Sequence, residues 1–261
     1  MFLLAACAQP KDDGPLPRDQ WPDRREEEAD TDTDTDADTD ADADTDPAGT
    51  GGSGGPVGEG TDAIGSSSYA YYAPACAAAA HPVAVVYTHH GSGGNGAQMV
   101  ALWRAQADAA CFVVIGLDSE SSMSWNFEGD VSNTSDLVDR IDAQYDVGWR
   151  YLHGYSAGAH WSYVIGLANT AVFAGLGVYA GTLYYAESYG SWPPDRRATP
   201  IPVAIGHGTG DTTVPYSYAE DAYASMTEEG WPADLWTVEG GTHAYDAGSQ
   251  DVAWAFWLAN R

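Results

Sequence analysis

The 261-residue chain carries 38 Asp and Glu against 10 Lys and Arg, a formal charge of −28. So negative a surface excludes nucleic acid and anionic lipid as partners, and it says little about fold. The charge divides near residue 62: residues 11–62 hold 18 acidic and 4 basic side chains, and residues 63–261 hold 20 and 6.

Residues 1–7 are too short to span a bilayer or to form a full signal-peptide core. Leu4-Ala5-Ala6-Cys7 is similar to a bacterial lipobox. That resemblance implies lipidation at Cys7, an extracytoplasmic protein at the cell surface or secreted, and membrane contact only through the anchor. The alternative is an apolar N-terminus with no such role. Residues 8–62 follow as a linker. Thr31 to Asp46 alternates Asp with Thr or Ala, and residues 47–60 are rich in Gly, Ser and Pro. With almost nothing apolar to bury, this segment is expected to be disordered, extended and self-repelling. Asp at every second position superficially matches a calcium loop, but the turn glycine and closing Glu are missing, so loose cation association is the expectation.

Residues 63–261 are long enough for one domain with a full core. After the aromatic stretch Tyr69 to Tyr72, the β-branched run Pro82 to Thr88 predicts a strand buried on both faces. A glycine loop (His89 to Gly96) leads to a helix over Ala97 to Ala109 and a strand over Phe112 to Leu117. A long loop ends at Asn133, and a helix is predicted from Thr134 to Tyr145. Trp149 to His153 reads as a strand, Ala159 to Leu167 as a helix and Gly175 to Tyr179 as a strand. Gly181 to Pro200 has no period and reads as a loop. The chain then alternates a strand (Ile201 to Gly206), a helix (Ser217 to Glu229), a strand (Asp234 to Glu239) and a final helix (Ser249 to Asn260) capped by Ser249. This alternation predicts an α/β fold, a mostly parallel sheet with helices on both faces. Cys76 and Cys111 each precede a strand-like run. In an oxidising compartment they form a disulfide worth about 3 to 4 kcal/mol; otherwise they are two buried thiols.

Ligands of parallel sheets gather at the carboxyl ends of the strands, and the chemical candidates fall there. Gly154-Tyr155-Ser156-Ala157-Gly158 lies between a predicted strand and a predicted helix, the setting in which a sharp turn exposes a serine hydroxyl. Asp211 and His243 each follow a later strand, giving the order Ser…Asp…His. In that arrangement Ser156 is the nucleophile, His243 the general base and Asp211 the group that orients the imidazole. Asp246 and Asp195 are weaker alternatives for the acid, and Asp211 taken alone would be a turn aspartate. The oxyanion donors are expected from the Ala157 N–H and from the glycine loop His90-Gly91-Ser92-Gly93-Gly94, at Gly91 and Ser92. That loop is not a complete nucleotide or phosphate motif. His90 and His207 are expected to brace loops, and His81, His89, His153 and His160 to be structural. No histidine spacing matches a metal site, so a metal hydrolase is not expected.

The glycine loop, Trp125-Asn126, the G-x-S-x-G turn, His207-Gly208-Thr209-Gly210-Asp211-Thr212-Thr213-Val214-Pro215-Tyr216 and Gly241-Thr242-His243 together resemble the secreted polyhydroxybutyrate depolymerase and feruloyl or acetylxylan esterase group of α/β-hydrolases. The resemblance implies ester hydrolysis through an acyl-enzyme, without metal or organic cofactor, in an open site with little lid. Ala159 stands where members of the group often have glycine, and no separate polymer-binding domain is present. Trp125, Tyr155, Tyr184 and Trp192 are candidates for substrate contact, with Trp161, Tyr185 and Tyr189 nearby in sequence. The expectation is therefore a monomeric serine carboxylesterase acting on a small or polymeric ester. A serine peptidase of the same fold and a non-catalytic surface binding protein remain as alternatives.

Overall fold

A computed structural model describes residues 48–79, 82–121, 123–126, 129–194 and 198–260. Cys7, His81, Asp195 and the Asp/Thr alternation lie outside the described residues. Among the described residues eight strands form one sheet: β1 (Gly58–Ile64), β2 (Ser67–Ala73), β3 (Val83–His89), β4 (Val113–Leu117), β5 (Val147–Tyr155), β6 (Gly175–Tyr179), β7 (Val203–Gly208) and β8 (Ala233–Val238), in the order β1-β2-β4-β3-β5-β6-β7-β8. The β1–β2 and β2–β4 pairs are antiparallel, and every other pair is parallel.

Among the described residues seven helices accompany the sheet: α1 (Ala75–Ala79), α2 (Gly96–Ala110), α3 (Gly129–Gln144), α4 (Ala157–Ala168), α5 (Tyr184–Ser188), α6 (Ser217–Glu228) and α7 (Ser249–Ala259). Strands β3 and β4 are buried on both faces, which is why they read as continuous β-branched runs. One apolar layer joins α3, α4 and α6 to the sheet through Leu137, Ile141, Val164, Ile165, Ala222 and Met226. The other joins α2 and α7 through Val100, Trp103, Ala253 and Trp257. Helix α2 opens on a capping box, in which the Asn95 side chain accepts the Gln98 N–H while Gln98 reaches back to the Asn95 N–H. It ends at Cys111, whose φ of 56° turns the chain left-handed. Cys111 is bridged to Cys76 across a Cα–Cα distance of 5.5 Å, closing a separation of 35 residues.

Four boundaries differ from expectation. The linker was expected to run to residue 62, but Gly58 to Asp62 belong to β1 and pair with β2. Upstream of it, the Thr50 hydroxyl donates to the carbonyls of Asp142 and Tyr145 and accepts the Val147 N–H, and the Tyr145 hydroxyl donates to the Pro56 carbonyl. A glycine-rich composition hides such docking, because the segment's bonds come from one hydroxyl and from backbone groups. Helix α3 starts at Gly129 rather than Thr134. Its first turn is held by buried Asp130, whose carboxylate accepts the N–H groups of Glu120 and Asn126 at 3.0 and 2.6 Å, not by an apolar stripe. Within the expected loop from Gly181 to Pro200, residues Tyr184–Ser188 make one short helix. Ser249 does not cap α7: Gly248 takes that position, and the Ser249 hydroxyl bonds His153 Nε2 at 3.1 Å.

Candidate active site

The carboxyl ends of β3, β5, β7 and β8 meet at one edge of the sheet. Ser156 sits between β5 and α4 with φ 52° and ψ −118°, a left-handed backbone that a serine adopts only under strain. The glycines of its motif explain why the turn can be so tight. A Cβ on Gly154 would lie 2.2 Å from the Gly158 carbonyl oxygen, and one on Gly158 would lie 2.2 Å from that of His89. Strand and helix therefore approach at backbone distance, and Ser156 is pushed outward.

Ser156 Oγ lies 2.8 Å from His243 Nε2, and His243 Nδ1 lies 2.7 Å from Asp211 Oδ2. A carboxylate only accepts, so Nδ1 carries the proton and the bare Nε2 accepts the serine hydroxyl. The other Asp211 oxygen, Oδ1, accepts the N–H groups of Thr213 and Val214 at 2.8 and 2.9 Å. Burial pushes the Asp211 carboxyl up, but the His243 hydrogen bond and these two N–H groups outweigh it and hold the group below its ordinary value. Asp246 instead accepts the N–H of Gly248 at 2.8 Å. Among the described candidates, Asp211 is thus the carboxylate on the histidine.

Ala157 is the first residue of α4, so its N–H has no intrahelical acceptor. Gly91 lies beside it: a Cβ there would stand 3.2 Å from the Ser156 Cβ. The loop is braced by His90, whose Nδ1 donates to the Gly91 carbonyl at 2.8 Å and whose Nε2 accepts the Ser119 N–H at 3.1 Å. The exposed Ser92 hydroxyl donates to the Met123 carbonyl at 2.8 Å.

The aromatic candidates separate. Trp125 is only 7% exposed; its indole N–H donates to the His90 carbonyl at 3.0 Å and its ring stacks on Trp161. Trp192 is 4% exposed and donates to the Ser225 hydroxyl, with its ring edge-on to Trp231. Neither is a substrate platform, because each ring is enclosed by protein and each N–H is already used. Tyr155 is half-buried, and its hydroxyl donates to the His243 carbonyl. Tyr184 alone of the four is widely exposed, at 53%, with its ring edge-on to Tyr185. Tyr185 stacks in turn on His160, one helical turn after Ser156. His160 Nε2 is buried without a hydrogen-bond partner among the described residues, and burial beside His243 and His207 pushes the ring down to about 4. The supporting roles of Tyr155 and Trp125 carried no signal in the sequence beyond their nearness to the motifs. Among the described residues no group of three or more His, Cys, Asp or Glu side chains is placed to hold a metal ion.

No protein-family model matches the chain, and no curated protein sequence does. Solved structures do. Esterase PE8 is 19% identical with a TM-score of 0.59, over 78% of this chain and 99% of that one. A ferulic acid esterase is 11% identical with a TM-score of 0.61, over 79% and 99%. An S-formylglutathione hydrolase from Staphylococcus aureus is 13% identical with a TM-score of 0.61, over 77% and 98%. The chain has the α/β-hydrolase fold. In this α/β-hydrolase scaffold the serine turn, the acid and the histidine all project from the carboxyl edge of the sheet, with the glycine loop after β3 alongside.

Proposed function

We propose that the protein is a serine carboxylic-ester hydrolase. The observation that carries this reading is the continuous chain of short contacts from Ser156 Oγ through both nitrogens of His243 to Asp211, built on a strained serine backbone. A binding protein has no use for a base on a strained serine, and strain is retained where the surrounding structure has a reason to hold it.

In this reading the Ser156 oxygen attacks the ester carbonyl carbon while His243 Nε2 takes the hydroxyl proton. The oxygen of the tetrahedral intermediate is met by the Ala157 N–H and by a backbone donor of the Gly91-Ser92 segment, each worth about 3 to 4 kcal/mol. His243 passes its proton to the departing alkoxide, leaving an acyl-enzyme. Water then gives a proton to His243 and its oxygen to the acyl carbon, and the carboxylic acid leaves as Ser156 regains its proton. Asp211 keeps Nδ1 protonated and stabilises the imidazolium.

Esterases among the similar structures support acyl transfer to water as the chemistry. For substrate we favour feruloyl or acetyl esters of polysaccharides, or hydroxyalkanoate esters, with Tyr184 as the aromatic side chain free to meet them. The Cys76–Cys111 bridge supports an oxidising, extracytoplasmic setting, in keeping with lipidation at Cys7 and action as a monomer. The test uses the full chain and its Ser156→Ala variant on p-nitrophenyl acetate, p-nitrophenyl butyrate and methyl ferulate, with a fluorophosphonate probe for reactive serine. Turnover and labelling are expected in the parent and absent in the variant. A folded parent that neither turns over nor labels overturns the reading, and preferential cleavage of amide analogues would assign a peptidase instead.

A further inference from the structure

A second histidine stands behind the acid. His207, on β7, is fully buried, and its Nε2 lies 2.8 Å from the Val214 carbonyl oxygen and 3.3 Å from Asp211 Oδ2. A carbonyl only accepts, so Nε2 carries the proton. Val214 also donates its own N–H to Asp211 Oδ1. The two histidine contacts and the Val214 peptide therefore close a ring around the carboxylate: Oδ1 is held by the Val214 N–H, the Val214 carbonyl by His207, and the positive edge of the His207 ring flanks Oδ2. Oδ2 is the oxygen that receives His243 Nδ1.

We infer that His207 is a positioning residue for Asp211. It fixes the rotation of the carboxylate plane, so that one oxygen points at His243 Nδ1 while the other stays on the Thr213 and Val214 N–H groups, and through it the orientation of the imidazole over Ser156. Resting on the triad reading above, the inference adds a fourth side chain whose donor must stand at the Nε2 position. A packing role would require only the ring's volume, and a polar role only some donor. A side-chain donor in the wrong place would leave the carboxylate free to turn, and displacements of about 1 Å cost on the order of 100-fold in rate.

The test compares His207→Gln, whose amide nitrogen reaches the Nε2 position, with His207→Asn, whose donor falls short, and His207→Phe, which keeps a ring without a donor. His207→Asn and His207→Phe are expected to lower kcat on p-nitrophenyl acetate by about 10- to 100-fold with KM unchanged, and His207→Gln to recover most of the loss. The proton NMR signal of His243 Nδ1–H, strongly downfield while it is bonded to Asp211, should persist in the parent and His207→Gln and move or broaden in the other two. Equal kcat and an unmoved signal in His207→Asn would overturn the inference, as would a His207→Gln variant no better than His207→Asn. The NMR arm reads the His243–Asp211 contact without turnover. An inactive parent with the expected signals therefore counts against the esterase reading alone.

Discussion

The Tyr155 hydroxyl donates to the carbonyl of His243 at 2.5 Å, so the residue just before the candidate nucleophile holds the loop that carries the candidate base. The serine turn and the histidine loop come from strands far apart in the sheet, and this bond ties one to the other. Burial, helped by the Asp211 charge, pushes the Tyr155 phenol up, so it remains a donor at neutral pH. A hydrogen bond of this kind contributes about 1 kcal/mol. Tyr155→Phe should therefore lower kcat by about fivefold and the melting temperature by about 2 to 4 °C, with little change in KM. A rise in KM without a fall in kcat would return Tyr155 to the role of substrate contact.

Trp125 acts on the glycine loop in the same indirect way. Trp125→Phe keeps most of the ring packed on Trp161 but leaves the His90 carbonyl without its indole donor. Steady-state kinetics should show kcat falling severalfold while KM for acetyl and feruloyl esters stays level. Trp125→Ala should instead destabilise the fold, by about 3 to 5 kcal/mol as for other large aromatic truncations, which denaturant unfolding would record.

The glycine-rich segment before β1 belongs to the domain by its contacts. A chain cut to begin at residue 63 loses most of β1, the Thr50 bonds to the α3–β5 connection and the Pro56 cover over Tyr145. Relative to a chain beginning at residue 48, it should melt about 5 to 10 °C lower, corresponding to about 2 to 3 kcal/mol for a domain of this size. Equal melting temperatures in calorimetry would show the docked segment to be energetically idle.

Buried histidines set the acid limb of stability. Burial holds His89 and His153 down to about 3 and His160 to about 4, against an ordinary value of 6.5 in the unfolded chain. The unfolded state therefore binds protons that the folded state refuses between those values, and stability falls as pH drops below 6.5. Each of the two fully buried rings costs about 2 kcal/mol at pH 5. Asp211, held below its ordinary value, adds a loss in the same direction only at still lower pH. Urea unfolding should be flat from pH 7 to 8 and weaken steadily from pH 6 to 4; a curve that stays flat to pH 5 would contradict the burial of these rings.

Much of this was legible in the chain itself. Strand positions followed from β-branched runs, α2 from the helical run after the glycine loop, and the nucleophile turn from two glycines spaced around Ser156, since each of these reports a local requirement. The order Ser156, Asp211, His243 placed three chemical groups after three strands, and a parallel sheet brings such positions to one edge.

Tertiary structure alone decided the rest. Whether Asp211 or Asp246 faces His243 depends on the geometry of the loops that follow β7 and β8, which no spacing encodes. Trp125 and Trp192 looked like free aromatic surface because a loop position in sequence does not tell whether another segment covers it, and here Trp161 and Trp231 do. The glycines before β1 looked like linker because composition records side chains, while their attachment to Tyr145 and Val147 is made by backbone and one hydroxyl. Local requirements are written residue by residue along the chain; the pairing of distant polar groups is fixed only when packing removes them from water.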